Sequence, residues 1–386
     1  MKKNIIIVGP YFPGKLYGGP VKSLLNMIEK LSDNYNFDVI TNDRDLNANE
    51  PYKEVKIGQW NKVGNANVFY IPKDQDIKCI RSIFKNNKYD LIYLSSFFAK
   101  KSLLVQVFKA LKCIKAPIIV APRGEFSLGA LNLKSRKKRI ILFIYKLLNL
   151  EKKINYTCTS NDDKEDILSV LGDKINISVA GNIVKDDLKV NKINTKEIGK
   201  LKIVTISRVA EIKNLDYTLK VLEEIAKRNT NFEEIIFDIY GPIEDKGYWN
   251  YCLKIIENVC DKIKINYKGL IDYNQVVNVL SNYHLFILPS KGENFGHVIQ
   301  EAFLAGCPVI ISDKTPWKNL KAIDVGYDIS LDRQDLFIKA IEDFLYMNHD
   351  AYKTLSKNAR EYGRYKVDNQ IAIEEHINMF EQAMKG

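Results

Sequence analysis

Short, unbroken apolar runs alternate along the chain with segments whose apolar residues recur every three or four positions. Ile5-Ile6-Ile7-Val8 opens the series. A strand covered on both faces reads this way, because successive side chains point to opposite sides and both sides must be apolar. Comparable runs predict strands over Asn4–Gly9, Phe37–Thr41, Val68–Ile71, Asp90–Ser95, Pro117–Ala121, Asn155–Thr159 and Ile177–Ala180. Helical periodicity falls between them at Val21–Leu31, Ile77–Asn86, Lys101–Cys113, Ser135–Leu150 and Lys164–Leu171. The polar stretch from Asn182 to Lys200 has no sustained apolar face and reads as a linker, placed at 186–200. The alternation then resumes. Strands are predicted at Leu201–Ile206, Ile235–Tyr240, Ile263–Tyr267, His284–Leu288, Val309–Ser312 and Tyr327–Ser330. Helices are predicted at Leu215–Arg228, Tyr248–Cys260, Tyr273–Leu280 and His297–Leu304, before three closing helices of which Asp368–Met384 is the last. The expectation is a doubly wound parallel-sheet α/β domain on each side of the linker, at 1–185 and 201–367.

A chain of 386 residues is too long for one ordinary core and suits two domains. No apolar stretch approaches the roughly 20 residues of a membrane-spanning helix. The first run is too short for a signal-peptide core, so a cytoplasmic location is expected. Six scattered cysteines without a CxxC pair read as buried free thiols rather than a disulfide frame or a zinc site. Charge changes the picture more. The net charge is +11, yet residues 1–180 hold 30 Lys and Arg against 17 Asp and Glu, while the rest holds 28 against 30. The basic half is the one to meet an anionic surface, nucleic acid and acidic lipid both being candidates. No nucleic-acid motif or aromatic platform accompanies the charge, so no nucleic-acid partner is expected. Lys134-Ser135-Arg136-Lys137-Lys138-Arg139 runs into the apolar Ile140–Leu148. That pattern fits either a helix at an anionic membrane surface or a core helix with a charged entry; the charge of this half favours peripheral membrane association.

The chemistry concentrates in Glu293-Asn294-Phe295-Gly296-His297-Val298-Ile299-Gln300-Glu301, directly after the buried run Leu285–Pro289. A loop between a parallel strand and a helix is where open α/β sheets bind ligands. Amides of Phe295, Gly296 and His297 can face an anionic or polyhydroxylated group at the helix start. One carboxylate before the helix and another about two turns along can each accept from a pair of sugar hydroxyls. With Ala302–Ser312 behind it, the segment resembles the donor-site signature of family 4 retaining glycosyltransferases.

That resemblance implies the GT-B fold: two Rossmann-like domains facing each other across a cleft, with the last helix, 368–386, crossing back onto the N-terminal, acceptor-binding one. It implies transfer from a nucleotide diphosphate sugar, UDP being the commonest carrier, to a glycan acceptor in capsule, O-antigen or other surface-polysaccharide assembly. A lipid-linked acceptor would require the inner membrane face. By the same resemblance Glu301 accepts from ribose hydroxyls and Glu293 from hydroxyls of the transferred sugar, with Asn294, Phe295 and Gly296 beside it. Arg208 and Lys213, in Ser207–Asn214 between a strand and a helix, suit a diphosphate cradle and match the family's second motif. Arg208, Lys213 and Glu293 are therefore the expected catalytic residues, on a front-face path in which the departing phosphate takes the acceptor's proton. Gly18-Gly19 resembles the family's loop facing the donor phosphates, and Gly241 and Leu270 would line the base pocket. Many relatives carry a histidine after the fifth strand, where this chain has Arg123 and Glu125; these are expected to touch the acceptor or to fix the loop. Asp43-Arg44-Asp45 has the spacing of a metal-binding DxD but lies away from the donor elements, so neither a metal nor another cofactor is expected. The rival readings are a GT-B phosphorylase or sucrose-type synthase with a soluble acceptor, and an NAD-dependent nucleotide-sugar epimerase, against which the missing GxGxxG speaks.

Overall fold

The computed structural model describes residues 2–14, 16–46, 48–127, 130–131, 135–184, 193–228, 231–366 and 369–385. The chain divides into two units, Met1–Val184 with Asn369–Gly386, and Lys185–Asp368.

In the first unit the order is β1 (Lys3–Val8), α1 (Gly19–Leu31), β2 (Tyr35–Asn42), β3 (Trp60–Val63), β4 (Ala66–Ile71), α2 (Asp76–Asn86), β5 (Leu91–Leu94) and α3 (Lys100–Ala110). Then come β6 (Ile118–Val120), α4 (Ser135–Leu147), β7 (Asn155–Cys158), α5 (Asn161–Leu171) and β8 (Asn176–Val179). They form one eight-stranded sheet of order β3-β4-β2-β1-β5-β6-β7-β8, parallel except for β3 against β4. The apolar runs follow from this position. Ile5 and Ile7 pack on one face with Leu24 and Met27 of α1, while Ile6 and Val8 pack on the other with Ile80 and Val105.

The second unit contains β9 (Lys200–Ile206), α6 (Leu215–Arg228), β10 (Glu234–Tyr240), α7 (Lys246–Ile256), β11 (Ile263–Gly269), α8 (Val276–Leu280) and β12 (Leu285–Leu288). It continues with α9 (His297–Ala305), β13 (Val309–Ser312), β14 (Gly326–Ile329), α10 (Gln334–Leu345) and α11 (His349–Tyr365). Its six strands run in the order β11-β10-β9-β12-β13-β14, all parallel. The last helix, α12 (Asn369–Lys385), belongs to the first unit. Phe380 seats it there, its ring 5.4 Å from Tyr35 and 6.1 Å from Tyr93 in edge-to-face contact. Both sheets are thus the doubly wound kind that the alternation predicted.

Several details differ from the sequence reading. Strand β3 escapes it because an edge strand whose residues are all exposed or half-exposed carries no apolar run. Helix α4 stops at Leu147, not Leu150, where Asn149 turns left-handed at φ 50°. Only Val276–Leu280 of the segment expected to be helical from Tyr273 is α-helical; Tyr273–Gln275 is a 3-10 turn. Residues 185–192 of the polar stretch lie outside the described residues, but its end is packed rather than solvated. Asn194 donates to the Ser281 and Tyr283 carbonyls, and the buried Lys196 donates to the Leu345 carbonyl at 3.0 Å. Burial lowers the Lys196 ammonium to about 8. All six cysteines are free thiols, yet Cys113 and Cys260 are exposed, not buried, since both follow the last turn of a surface helix.

Candidate functional site

Strand order locates the place where the second unit can hold a ligand. Chain direction across the sheet reverses between β9 and β12, so the loops leaving their carboxyl ends diverge and open a crevice between them. Both candidate motifs sit on these two loops. The first passes through a 3-10 turn, Glu211–Lys213, and reaches α6 through the buried Asn214, left-handed at φ 60°. The second runs from Pro289 to Gly296, itself left-handed at φ 76° ahead of α9. An added Cβ at Gly296 would meet Ile299 Cδ1 at 2.8 Å.

Lys213 Nζ and Glu293 Oε1 are paired across these loops, their side chains only 15% and 12% exposed. A scaffold of buried hydroxyls fixes the pair. Ser290 Oγ donates to the Ile212 carbonyl at 3.0 Å, the Lys291 amide donates to the same carbonyl at 2.8 Å, and Ser312 Oγ donates to the Ser290 carbonyl. The Glu293 amide donates to the Lys314 carbonyl at 3.1 Å, tying the loop to the end of β13. Trp317 Nε1 donates to the Phe295 carbonyl at 2.7 Å, and its ring packs against Phe295 and Phe303. Glu301 is the fifth residue of α9, little more than one turn in, because the helix starts only at His297.

Arg208 lies in the loop after β9, where it pairs with Glu244 at the rim, both about one-third exposed. Gly241 sets this rim. At φ 131° it presses on the neighbouring loop so closely that an added Cβ would lie 1.9 Å from the Ser207 carbonyl oxygen. The Gly241 amide donates to the Gly269 carbonyl at 2.8 Å, and Tyr267 Oη donates to the Gly241 carbonyl, so the loop carrying the exposed Leu270 joins the same rim. Arg208, Lys213, Gly241, Leu270, Glu293, Asn294, Phe295, Gly296 and Glu301 thus all lie in one unit, on loops at the carboxyl ends of four strands or in the helix that follows.

Sequence reading missed Glu244, Ser290, Ser312 and Trp317. The two serines had one legible signal, a polar residue closing a buried strand; the partners of Glu244 and Trp317 are distant in sequence and left none.

The other expected residues lie in the first unit. Gly18, at φ 64°, precedes α1, which starts at Gly19 with a proline in its first turn. Arg123 stands left-handed at φ 51° after β6, where its Nε donates to Ser95 Oγ at 2.8 Å. Glu125 accepts from Ser96 Oγ at 2.7 Å and from the amides of Phe97 and Phe98 at 2.5 and 3.4 Å. Burial lifts its carboxyl above the usual carboxylate range, against the pull of these donors. The two side chains therefore stitch the β6 loop to the β5 loop. Asp43 and Asp45 are also engaged: Asp43 pairs with Arg44, and Asp45 accepts from the Leu16 and Leu46 amides. Among the described residues no three His, Cys, Asp or Glu side chains gather as metal ligands.

Residues 186–362 match the family model described as glycosyl transferases group 1. A curated relative, the UDP-N-acetylglucosamine–peptide N-acetylglucosaminyltransferase GtfA subunit of Streptococcus pneumoniae, is 28% identical over 43% of this chain and 34% of its own length. The chain thus spans about a third of that protein. The UDP-Gal:alpha-D-GlcNAc-diphosphoundecaprenol alpha-1,3-galactosyltransferase of Escherichia coli is 25% identical over 74% of each chain. Among solved structures, sucrose-phosphate synthase from Thermosynechococcus elongatus superposes with a TM-score of 0.73 over 99% of both chains at 14% identity. HepE from Anabaena, solved with UDP and glucose, gives 0.70 at 13% identity over 98% of this chain and all of its own. Both crevice loops fall inside residues 186–362, which are similar to glycosyl transferases group 1, and the two sheets share the architecture of these solved structures, so the chain has the GT-B fold.

Proposed function

We propose that the protein moves a sugar from a UDP-sugar to a lipid-linked glycan, with retention of configuration, at the cytoplasmic face of the membrane during surface-polysaccharide assembly. The observation that carries this reading is the placing of Lys213 and Glu293 side by side at the switch point of the second sheet. A cation there meets the diphosphate, and the carboxylate beside it accepts from hydroxyls of the sugar that the diphosphate carries. Glu301, further along α9, accepts from the ribose.

In the step itself the bond from the anomeric carbon to the phosphate oxygen breaks, and a bond to the acceptor oxygen forms on the same face. The acceptor's proton passes to the departing phosphate oxygen. Lys213 and Arg208 stabilise the charge that grows on the diphosphate, which a metal ion does in other transferases. Two relatives whose names specify UDP-sugars support the choice of nucleotide, and the undecaprenol in one of those names supports a lipid-linked acceptor.

A thermal-shift panel of UDP, GDP, ADP, CMP and NAD with their sugar conjugates tests the donor. UDP is expected to raise the melting temperature of the wild type and to lose that effect in Glu301→Ala. A rise with NAD alone would overturn the reading.

A further inference from the structure

Helix α4 of the first unit carries two apolar edges. The inner edge is ordinary core: Tyr145 is buried with its hydroxyl 2.7 Å from that of Tyr156, and Ile141 and Leu142 pack beside it. The outer edge consists of Ile140, Phe143, Ile144 and Leu147, and Leu148 just beyond the helix extends it. They recur at the helical spacing of one stripe, with Phe143 and Leu147 each 69% exposed. Each such side chain is favoured by leaving water, so a contiguous row turned outward marks a surface made to be covered.

Charge identifies the cover. The sequence of α4, SRKKRIILFIYKL, has five basic residues and no acidic one. Arg136, Lys137, Arg139 and Lys146 are exposed; at 100° per residue Lys137 lies on one side of the apolar row, Arg139 and Lys146 lie on the other, and Arg136 continues the line of the row toward the amino end. Long basic side chains beside an apolar row can lay their stems along it and lift their charges into a headgroup layer. No helix among the described residues is long and apolar enough to cross a membrane, so this one would lie along the surface.

The amino end of α4 is fastened to the candidate acceptor loop. Lys138 Nζ donates to the Ala130 carbonyl at 2.6 Å and sits 5.1 Å above the Phe98 ring, and the Phe98 amide donates to Glu125. We infer that α4 embeds its outer edge in the interface of an anionic bilayer and thereby holds the Arg123–Glu125 loop at headgroup level, where a lipid-linked acceptor arrives. The delivery part rests on the acceptor reading above; the docking part does not.

Flotation of the full chain with phosphatidylcholine vesicles, with and without phosphatidylglycerol, tests it. The wild type is expected to float with the anionic vesicles. The double variant Phe143→Ser, Leu147→Ser should bind at least roughly tenfold more weakly, with an unchanged circular dichroism spectrum and UDP-induced thermal shift. Lys137→Glu with Arg139→Glu should abolish the preference for phosphatidylglycerol. Failure of the wild type to float, or equal flotation of the serine variant, would overturn the inference. So would a wild-type dimer that the serine variant turns into a monomer, since the edge would then belong to a second copy. Flotation is read without any transfer, so a failed donor assay and a failed docking assay are separate results.

Discussion

Lys213 and Glu293 lie 80 residues apart in sequence and form one ion pair, joining the loop after β9 to the loop after β12. Each holds the other in place at the switch point of the sheet. Under the function proposed above, a diphosphate entering there would compete with Glu293 for the ammonium, which would couple donor binding to the position of that carboxylate.

Lys213→Ala is therefore expected to lower kcat/KM for transfer by about 10²–10³-fold, the usual cost of removing one stabilising donor from a developing anion. Steady-state kinetics with the matched UDP-sugar check this, alongside a melting curve showing the variant folded. Normal turnover in a folded variant would remove Lys213 from the diphosphate site.

Arg208 and Glu244 make a contrasting pair, because both are partly solvated. Glu244→Gln should change stability by less than about 1 kcal/mol, as expected of a solvated ion pair. Arg208→Gln should leave stability equally untouched while reducing kcat at least tenfold. A large loss of stability in either variant, read from urea midpoints, would make the pair structural.

Gly241→Ala acts through the backbone. Its methyl would overlap the Ser207 carbonyl in a conformation that L-residues rarely adopt, so a loss of more than about 2 kcal/mol is expected. The displaced partner is the residue before Arg208, and donor affinity should fall with stability. A variant with wild-type stability and donor affinity would show the rim to be adaptable.

Stability should also fall on acidification, through His284. Burial lowers its pKa to about 4, and its bonds require the neutral ring: Nδ1 accepts from the Lys202 amide at 3.0 Å while Nε2 lies 3.0 Å from the Thr195 carbonyl. Below pH about 6.5 the unfolded chain binds a proton that the native ring refuses. The contribution of His284 is thus present above that pH, falls as the pH drops toward 4, and is constant below. His376, lowered to about 4 by burial in the first unit, adds a loss of the same sign. Urea midpoints from pH 7 to 4 read the slope, and ¹⁵N-histidine spectra should show both rings neutral at pH 5. A His284 ring already charged at pH 6 would contradict the assignment.

What the sequence determined by itself was set by local rules. The parallel strands of both sheets were legible, though the antiparallel edge strand β3 was not, because a strand covered on both faces must be apolar at consecutive positions, as in Ile5–Val8 and Leu285–Leu288. The two motif loops were legible because each sits between such a strand and a helix. Only tertiary structure decided what depends on distant partners. Lys213 meets Glu293 because β9 and β12 are neighbours in the sheet, which no spacing along the chain states. Arg123 and Glu125, read as possible acceptor contacts, are seen to bind the β5 loop through Ser95, Ser96 and Phe97. The apolar row of α4 looked in sequence like either core or surface, since periodicity records which residues share a face but not which face the rest of the fold covers. Packing of Tyr145 inward turned Phe143 and Leu147 out.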